Sequence, residues 1–528
     1  MARQFLCAAG QPAAETKAGK LRGFMLDGVY AFHGIKYAEA ERFGPPGPVA
    51  AWEGLKDALS YGYIAPLLEH PAPQGEVMIP HRFWPEHESC FYLNVWTLHL
   101  DRAAKRPVMV WLHGGGFSAG SSIEQVAYEG DNLCKYGDVV VVSLNHRLNI
   151  LGYLDLSSYG EKYKNSGNAG MADIVEALRW IQDNIAAFGG DPDNVTVFGQ
   201  SGGGMKVTAL GQIPEAKGLY HKGIVMSGVA DTGIFGGKRD DRRLVKAMLE
   251  ELNFQEREVE KLETIPFAAL ARAFKRASRK LAREGISFHW GPVDNDWYLG
   301  DPLQKGFTEA AKKIPLMVGT VIAEFAFGPG VPGKRELSRD ARRGLIAARF
   351  GAYADELISL FAKAYPGKNE TDLLSLDCFF RPGTLKYIEK KSAEGSAPVY
   401  SYMFALEFDY DGGKPAWHCS DIPFVFRNSG RVAVCNIPGV TEKLEEEVAG
   451  AYVNFASRGN PNHPALSEWP AYTPENKATM VFDRDSQVRF DHEGDLLALL
   501  AKASPPFKFS PGVPQDDEEE EAEKAWLY

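Results

Sequence analysis

The sequence has few cysteines, no long apolar run and no excess of positive charge. Its six cysteines are spread over 528 residues, too few for a disulfide framework, and this favours free thiols in a reducing compartment. No apolar run reaches the roughly 18 residues of a membrane-spanning helix, and the N-terminus lacks the apolar core of a secretory signal. A net charge of −11 argues against nucleic acid or an anionic membrane as a partner. These absences predict a soluble, cytoplasmic protein.

Signatures of metal and phosphate sites are also missing. The chain has no H-E-x-x-H pair, and its 12 histidines are scattered. No G-x-G-x-x-G motif opens a helix, and no lysine follows the glycine-rich stretches at P-loop spacing. His81 and His87 flank a loop that contains proline and are expected at the surface. We therefore predict no metal site and no cofactor.

Much of the negative charge lies at the C-terminus. Residues 515–528 include Asp516, Asp517, the glutamates 518–521 and Glu523, and such a run is expected to form a disordered acidic tail. No internal repeat or linker divides the rest of the chain. Residues 1–514 are therefore predicted to form one large domain with helical insertions.

Apolar runs of strand length alternate with segments of helical spacing. Residues 108–112 and 139–144 are nearly continuous apolar runs, as expected of strands that are buried on both faces. Residues 171–187 have helical spacing and are followed by two glycines and a proline. The alternation predicts an α/β protein with a large, mostly parallel, twisted sheet and helices on both faces. Further expected elements are strands at 91–96, 223–226, 314–318 and 399–404, helices at 242–252, 267–283, 336–349 and 441–457, and antiparallel edge strands within 21–37.

One short stretch has the pattern of a nucleophile elbow. The run Val195-Thr196-Val197 leads into Gly199-Gln200-Ser201-Gly202-Gly203, a G-x-S-x-G motif, and residues 205–210 can form the helix that follows. The turn is so tight that its central residue is strained, and the flanking glycines remove side chains that would collide. Ser201 would then lie at the positive end of a helix. Alone, the motif also fits an ordinary glycine-rich turn.

A nucleophilic serine needs a base to take its proton and an acid to hold that base. After a nucleophile elbow, the acid and then the histidine follow along the chain. Among the later histidines, His418 lies in a loop shortly after a predicted strand, where sites gather. Glu324 directly follows another predicted buried strand. From these residues alone, a capping histidine and a solvated glutamate are equally acceptable interpretations.

A second glycine motif predicts an oxyanion hole. His113-Gly114-Gly115-Gly116 directly follows the strand at 108–112, and glycines there let backbone N–H groups converge on one point. Gly115 and Gly116 can supply two donors, and Gly202, which follows the serine, can supply a third. The alternative is a loop that binds phosphate, but the lysine that it requires is missing.

Further motifs follow in a regular order along the chain, at residues 32–38, 88–95, 167–173, 191–196, 319–324, 418–426 and 459–461. Together with the elbow and the glycine motif, they resemble the type-B carboxylesterases. These form part of the α/β-hydrolase superfamily and include cholinesterases and bacterial p-nitrobenzyl-esterase-like enzymes. The resemblance extends from the region of Gly19 to that of Phe482, and it implies the α/β-hydrolase fold.

The resemblance implies a serine hydrolase that cleaves carboxylic esters through an acyl-enzyme. By position, Ser201 is implied as nucleophile, His418 as base and Glu324 as orienting acid. The implied oxyanion donors are Gly115, Gly116 and Gly202. Ser227 matches a serine near the triad, and Phe288 and Trp290 match aromatic residues on the acyl side of the site.

The implied substrate is a small-molecule ester with a short-to-medium acyl group or an aryl group. An amidase or a carbamate hydrolase would use the same triad and is the main alternative. A binding protein that has lost catalysis is a second alternative, but such relatives typically lack the nucleophile or the histidine, and this chain has both. The sequence is compatible with a monomer or a homodimer.

The chain departs from the family pattern at four positions. Gln200 replaces the usual acidic residue before the nucleophile, and Phe325 replaces the glycine after the acid. Cys90 matches half of a family disulfide, but the only cysteine before it is Cys7, so that bond is expected to be absent. Trp84 is spaced differently from the aromatic residue that binds choline in cholinesterases, so specificity for choline esters is not expected.

Overall fold

The computed structural model describes residues 3–68, 77–229, 239–286, 288, 290–328, 330–393 and 397–504. These residues fall into two compact units. The larger comprises residues 3–229 and 290–504, and the smaller comprises residues 239–286 and 288. The acidic tail at 515–528 lies outside the described residues, so the expected single domain of residues 1–514 and its disordered tail stay predictions.

A twelve-stranded sheet runs through the larger unit. Its strands are β1 (Phe5–Leu6), β2 (Phe24–Leu26), β3 (Val29–Lys36), β4 (Tyr92–Thr97), β5 (Arg106–Leu112), β6 (Val140–Leu144), β7 (Gly190–Gln200), β8 (Lys222–Met226), β9 (Leu316–Val321), β10 (Val399–Phe404), β11 (Ala478–Phe482) and β12 (Gln487–Phe490). Their order across the sheet is β1-β2-β3-β4-β6-β5-β7-β8-β9-β10-β11-β12. The strands from β6 to β11 in this order pair in parallel, and the pairs at both ends are antiparallel.

The central strands contribute alternate residues to two hydrophobic cores. In β5, Met109 and Trp111 belong to one core together with Phe198 of β7, whereas Val110 belongs to the other together with Val197. Because successive side chains of a strand point to opposite faces, the two cores lie on opposite sides of the sheet. This double burial explains why residues 108–112 form a nearly continuous apolar run.

Helices contribute to both cores, as the sequence predicts. In the larger unit they are α1 (Asp131–Gly137), α2 (Asn149–Tyr153), α3 (Ala169–Asn184), α4 (Gly202–Leu210), α7 (Pro302–Lys305), α8 (Glu309–Lys312), α9 (Arg339–Phe350), α10 (Ala354–Ala364), α11 (Phe380–Ala393), α12 (Ile422–Val425), α13 (Thr441–Arg458) and α14 (Gly494–Ala503). The smaller unit contains α5 (Asp241–Glu251) and α6 (Phe267–Ala282), with a 3-10 helix at Glu256–Glu263 between them. Helices α3 and α4 pack into the core that contains Val110, and α10 and α13 pack into the core that contains Trp111.

Most predicted elements form, with small shifts at their ends. The helix expected at 336–349 begins at Arg339, because the Ser338 hydroxyl caps it by accepting a hydrogen bond from the Ala341 N–H at 3.2 Å. The edge strands expected within 21–37 appear as the antiparallel pair β2–β3, while Lys20–Arg22 joins a separate small sheet with Ala13–Glu15 and Leu55–Asp57. No helix among the described residues is both long and apolar enough to cross a membrane.

Candidate active site

Ser201 lies in a strained turn between β7 and α4. Its backbone angles are φ 58° and ψ −125°, which non-glycine residues rarely adopt, and its N–H donates to the Met226 carbonyl at 2.8 Å. The residue two positions later must be glycine for steric reasons, because a methyl group on Gly203 would lie 1.9 Å from the carbonyl oxygen of Leu112. The turn therefore has the strained geometry and close packing of a nucleophile elbow.

The three predicted oxyanion donors lie next to the serine. A methyl group on Gly202 would lie 2.1 Å from the Gly116 carbonyl oxygen, so the two backbones are in direct contact. Gly115 and Gly116 have φ of 80° and 62°, which glycine adopts without strain. Within the described residues, no acceptor takes the N–H of Gly115, Gly116 or Gly202. These donors are available to an anionic oxygen.

Glu324, which is fully buried, and His418, whose side chain is 12% exposed, form a hydrogen-bonded pair. The carboxylate Oε2 lies 2.5 Å from His418 Nδ1, and the His418 backbone N–H donates to the Glu324 carbonyl at 2.9 Å. The other carboxylate oxygen, Oε1, accepts from the Ser227 hydroxyl at 2.6 Å and from the Val321 N–H at 3.0 Å. These three contacts fix the orientation of the carboxylate and, through it, of the His418 ring.

Gln200 and aromatic rings surround the other sides of His418. The amide nitrogen of Gln200 lies 3.2 Å from each ring nitrogen, which places the elbow beside the histidine. Phe380 stacks on the imidazole with centroids 5.3 Å apart, and Phe325 lies parallel to it at 6.2 Å. Within the described residues, no hydrogen bond joins the ring to the Ser201 hydroxyl. Such bonds often shorten only when substrate is bound.

Two further buried carboxyl groups lie near Glu324. Burial and then the charge of Glu324 raise the pKa of both Asp377 and Asp421 to about 7. Asp377 accepts backbone N–H groups at the start of α11, at 2.6 Å from Arg381. Asp421 accepts a long bond of 3.4 Å from the Tyr402 hydroxyl. Only Glu324 among these three carboxylates is hydrogen-bonded to His418 in the described structure.

The raised pKa of Asp421 predicts a pH-dependent effect of Asp421→Asn on stability. Between the ordinary value of 3.8 and about 7, the unfolded chain has lost this proton while the folded chain keeps it, so wild-type stability falls as pH rises through that window. The asparagine does not titrate. The difference in unfolding free energy, variant minus wild type, should therefore increase as the pH is raised. From acidic to neutral pH the increase should reach up to about 4 kcal/mol. Urea unfolding of both proteins at several pH values measures this, and a difference independent of pH would contradict it.

Comparisons with known proteins agree with this geometry. A sequence model described as "Carboxylesterase family" matches residues 10–496. The chain belongs to the carboxylesterase family. This membership and the esterases among its relatives make it a carboxylic ester hydrolase, as the sequence resemblance implies.

Relatives within the family match nearly the whole chain. The para-nitrobenzyl esterase of Bacillus subtilis is 35% identical, over 91% of this chain and 96% of the relative. The phenmedipham hydrolase of Pseudarthrobacter oxydans is 31% identical, over 91% of this chain and 97% of the relative. An esterase of Clostridium hathewayi, whose structure is solved and which can hydrolyse aliphatic aromatic polyesters, is 52% identical with a TM-score of 0.93, over 95% of this chain and 100% of that one. These likenesses confirm the α/β-hydrolase fold.

The two predicted acyl-pocket aromatics lie in different units of this carboxylesterase. Phe288 belongs to the smaller unit, where it packs edge-on against Phe274 at 5.7 Å and lies under the Arg239 guanidinium at 5.0 Å. Trp290 belongs to the larger unit and packs, half-buried, against the core that contains Val110. Their contribution to an acyl pocket stays a prediction. Within the described residues, no cluster of His, Cys, Asp and Glu could hold a metal ion.

Sequence reasoning missed three neighbours of the candidate site. Phe380 stacks on His418, Asp377 lies near Glu324, and Lys206 lies fully buried in α4. Phe380 and Asp377 have no local signal, because they come to the site from another part of the chain. Lys206 has one: it is a charged residue inside the apolar helix that follows the nucleophile.

Proposed function

We propose that this carboxylesterase hydrolyses small carboxylic esters by acyl transfer, with Ser201 as nucleophile, His418 as base and Glu324 as orienting acid. The observation that supports this most directly is the 2.5 Å contact between Glu324 and His418 Nδ1, next to a serine in a strained elbow. Because Glu324 holds the proton on Nδ1, Nε2 keeps a lone pair that can accept the serine proton.

In the first half of the reaction, Ser201 Oγ attacks the ester carbonyl carbon while His418 Nε2 takes the hydroxyl proton. The carbonyl oxygen becomes an oxyanion, which the N–H groups of Gly115, Gly116 and Gly202 stabilise. The bond between the carbonyl carbon and the alcohol oxygen then breaks, and His418 gives its proton to that oxygen. The alcohol leaves, and the acyl group remains on Ser201.

In the second half, water replaces the serine. His418 takes a proton from the water as its oxygen attacks the acyl carbon, and the same N–H groups stabilise the second oxyanion. The bond to Ser201 Oγ breaks, the proton returns to the serine, and the carboxylic acid leaves. Every proton transfer in this scheme uses His418, and no cofactor takes part.

We further propose that the alcohol part of preferred substrates carries an aryl group. His418 must reach the leaving oxygen, so the alcohol part lies beside this residue. Two phenylalanines next to the imidazole are notably exposed for apolar rings, Phe325 at 40% and Phe327 at 47%. An aromatic group there would cover them and gain favourable ring contacts. The relative named para-nitrobenzyl esterase agrees with this proposal, because a benzyl group is the alcohol part of an ester. On the acyl side, Phe288 and Trp290 are proposed to favour short-to-medium chains.

Carbamate hydrolysis is the second candidate function, because the phenmedipham hydrolase is 31% identical over almost its full length. The same triad and oxyanion donors would act on a carbamate carbonyl. Amide hydrolysis belongs to the same alternative, because it would use the same triad. It differs in that His418 must protonate a poorer leaving group.

Matched pairs of substrates test the proposed function. Wild type should hydrolyse benzyl butyrate faster than cyclohexylmethyl butyrate, with kcat/KM differing about 3- to 10-fold, as expected for aromatic contacts. Phe325→Leu should reduce that ratio towards one, whereas Phe490→Leu, at an exposed ring on β12, should leave it unchanged. Equal rates for the two esters in wild type would contradict the aryl preference. Faster cleavage of the benzyl carbamate or amide than of the ester would favour the second candidate.

A further inference from the structure

Lys206 is a buried lysine that the proposed reaction does not use. It lies on α4, and its side chain has no solvent exposure. Burial lowers its pKa to about 7, while the nearby carboxyl of Glu124 opposes that shift. Among the described residues, no carboxylate lies within ion-pair distance of its Nζ. Burial of an amine is unfavourable unless it makes a specific hydrogen bond.

The hydrogen bond that Lys206 makes is to the backbone of the glycine motif. Its Nζ donates to the carbonyl oxygen of His113 at 3.0 Å, and His113 directly precedes Gly114. The His113 ring is itself buried and stacks on His146 with centroids 5.0 Å apart, and burial, with the charge of Lys206, lowers its pKa far below the usual value. Lys206 thus joins the helix that begins after the nucleophile to the first residue of the glycine loop.

These two elements supply the two halves of the proposed oxyanion hole. Gly202 is the first residue of α4, and Gly115 and Gly116 lie in the loop that Lys206 holds. Oxyanion donors act strongly only when their spacing is fixed before the reaction. The loop itself has no side chain at these positions with which to fix its place against the helix.

We propose that Lys206 is a positioning residue that fixes the glycine loop against the nucleophile helix and thereby sets the geometry of the oxyanion hole. This inference rests on the proposed function. The donor, not the charge, does the positioning, because a neutral amine also donates to the His113 carbonyl. Lys206 therefore stabilises the step at which the oxyanion forms. It contributes little to the binding of the uncharged ester.

A second buried lysine provides a matched control. Lys222 on β8 is 8% exposed, and burial lowers its pKa to about 8. Its Nζ donates to the side-chain oxygen of Asn194, not to the glycine loop. Lys222→Met removes a buried amine without removing a bond to the proposed oxyanion hole, so it measures the purely structural effect of such a change.

The experiment compares Lys206→Met, Lys206→Gln and Lys222→Met with wild type, using p-nitrophenyl butyrate and a trifluoromethyl ketone. The Ser201 oxygen adds to the carbonyl carbon of the ketone, and the ketone oxygen becomes an oxyanion. The affinity for the ketone therefore reports directly on the proposed oxyanion hole. We expect Lys206→Met to lower both kcat and ketone affinity about 10- to 100-fold, with KM changed less than about threefold. Lys206→Gln retains an N–H donor and should lie between Lys206→Met and wild type. Lys222→Met should stay within about twofold of wild type.

Three outcomes would overturn this inference. In the first, Lys206→Met keeps kcat and ketone affinity within about twofold of wild type. In the second, Lys222→Met loses as much of both as Lys206→Met does. In the third, Lys206→Gln loses as much kcat and ketone affinity as Lys206→Met does, or, where Lys206→Met fails to fold, the folded Lys206→Gln raises KM and leaves kcat and ketone affinity unchanged. If wild type itself neither hydrolyses esters nor binds the ketone, the proposed function fails, which is distinguishable from all three.

Discussion

Replacing Ser201 by alanine is expected to lower kcat/KM for carboxylic esters by at least about 10³-fold. The variant keeps the glycine donors and the Glu324–His418 pair but has no oxygen to form the acyl-enzyme. Alanine has the same Cβ and only loses the hydroxyl, so the strained turn and its bond to the Met226 carbonyl should persist. Steady-state kinetics on benzyl butyrate measure the loss, and circular dichroism checks the fold.

A matched control and a covalent reagent sharpen this test. Ser392→Ala on α11 removes a hydroxyl whose one bond among the described residues lies within its own helix, at 2.9 Å to the Glu389 carbonyl, and should have wild-type activity. A fluorophosphonate should add to wild type and to Ser392→Ala, at the peptide that contains Ser201, and not to Ser201→Ala. Normal turnover by Ser201→Ala, purified free of host esterases, would refute the assignment of the nucleophile.

Local sequence patterns predicted the central elements well, because those elements bury both faces. The expected strand at 139–144 is β6, Val140–Leu144, and the expected helix at 171–187 is α3 with the 3-10 helix Ile185–Phe188 after it. The elbow was also predictable, since its glycines are required by close backbone contacts such as that of Gly203 with Leu112. In each case the contacts place their requirement on consecutive residues of one segment, so they leave a visible local pattern.

Features that depend on contacts between distant parts of the chain could not be predicted in this way. The stacking of Phe380 on His418 and the bond from Gln200 to the same ring join residues from three separate segments. The departure at Gln200 was visible, but not that its amide would contact the histidine. Similarly, the exposure of Phe325 beside His418 follows from the turn after β9 and not from any periodicity.

The orientation of Glu324 determines what a change at that residue should do. Its Oε1 accepts from Ser227 and Val321, whereas its Oε2 faces His418. A glutamine at this position should keep its oxygen towards the two donors, since the amide nitrogen cannot accept from them. Its NH₂ group would then face His418 Nδ1. The imidazole proton would move to Nε2, the nitrogen that must accept the serine proton.

Glu324→Gln is therefore expected to lower kcat by about 10³- to 10⁴-fold, through the wrong tautomer of His418 and the loss of the charge that stabilises the imidazolium. Glu324→Asp keeps the negative charge but places it farther from the imidazole ring. Its kcat should therefore fall less than that of Glu324→Gln. Asp421→Asn is the decisive comparison, because Asp421 is buried near Glu324 but is not bonded to His418 in the described structure. It should retain most of the wild-type kcat. If Asp421→Asn proves the crippling change and Glu324→Gln a mild one, the orienting acid is Asp421, and the contact between Glu324 and His418 serves the fold and not the reaction.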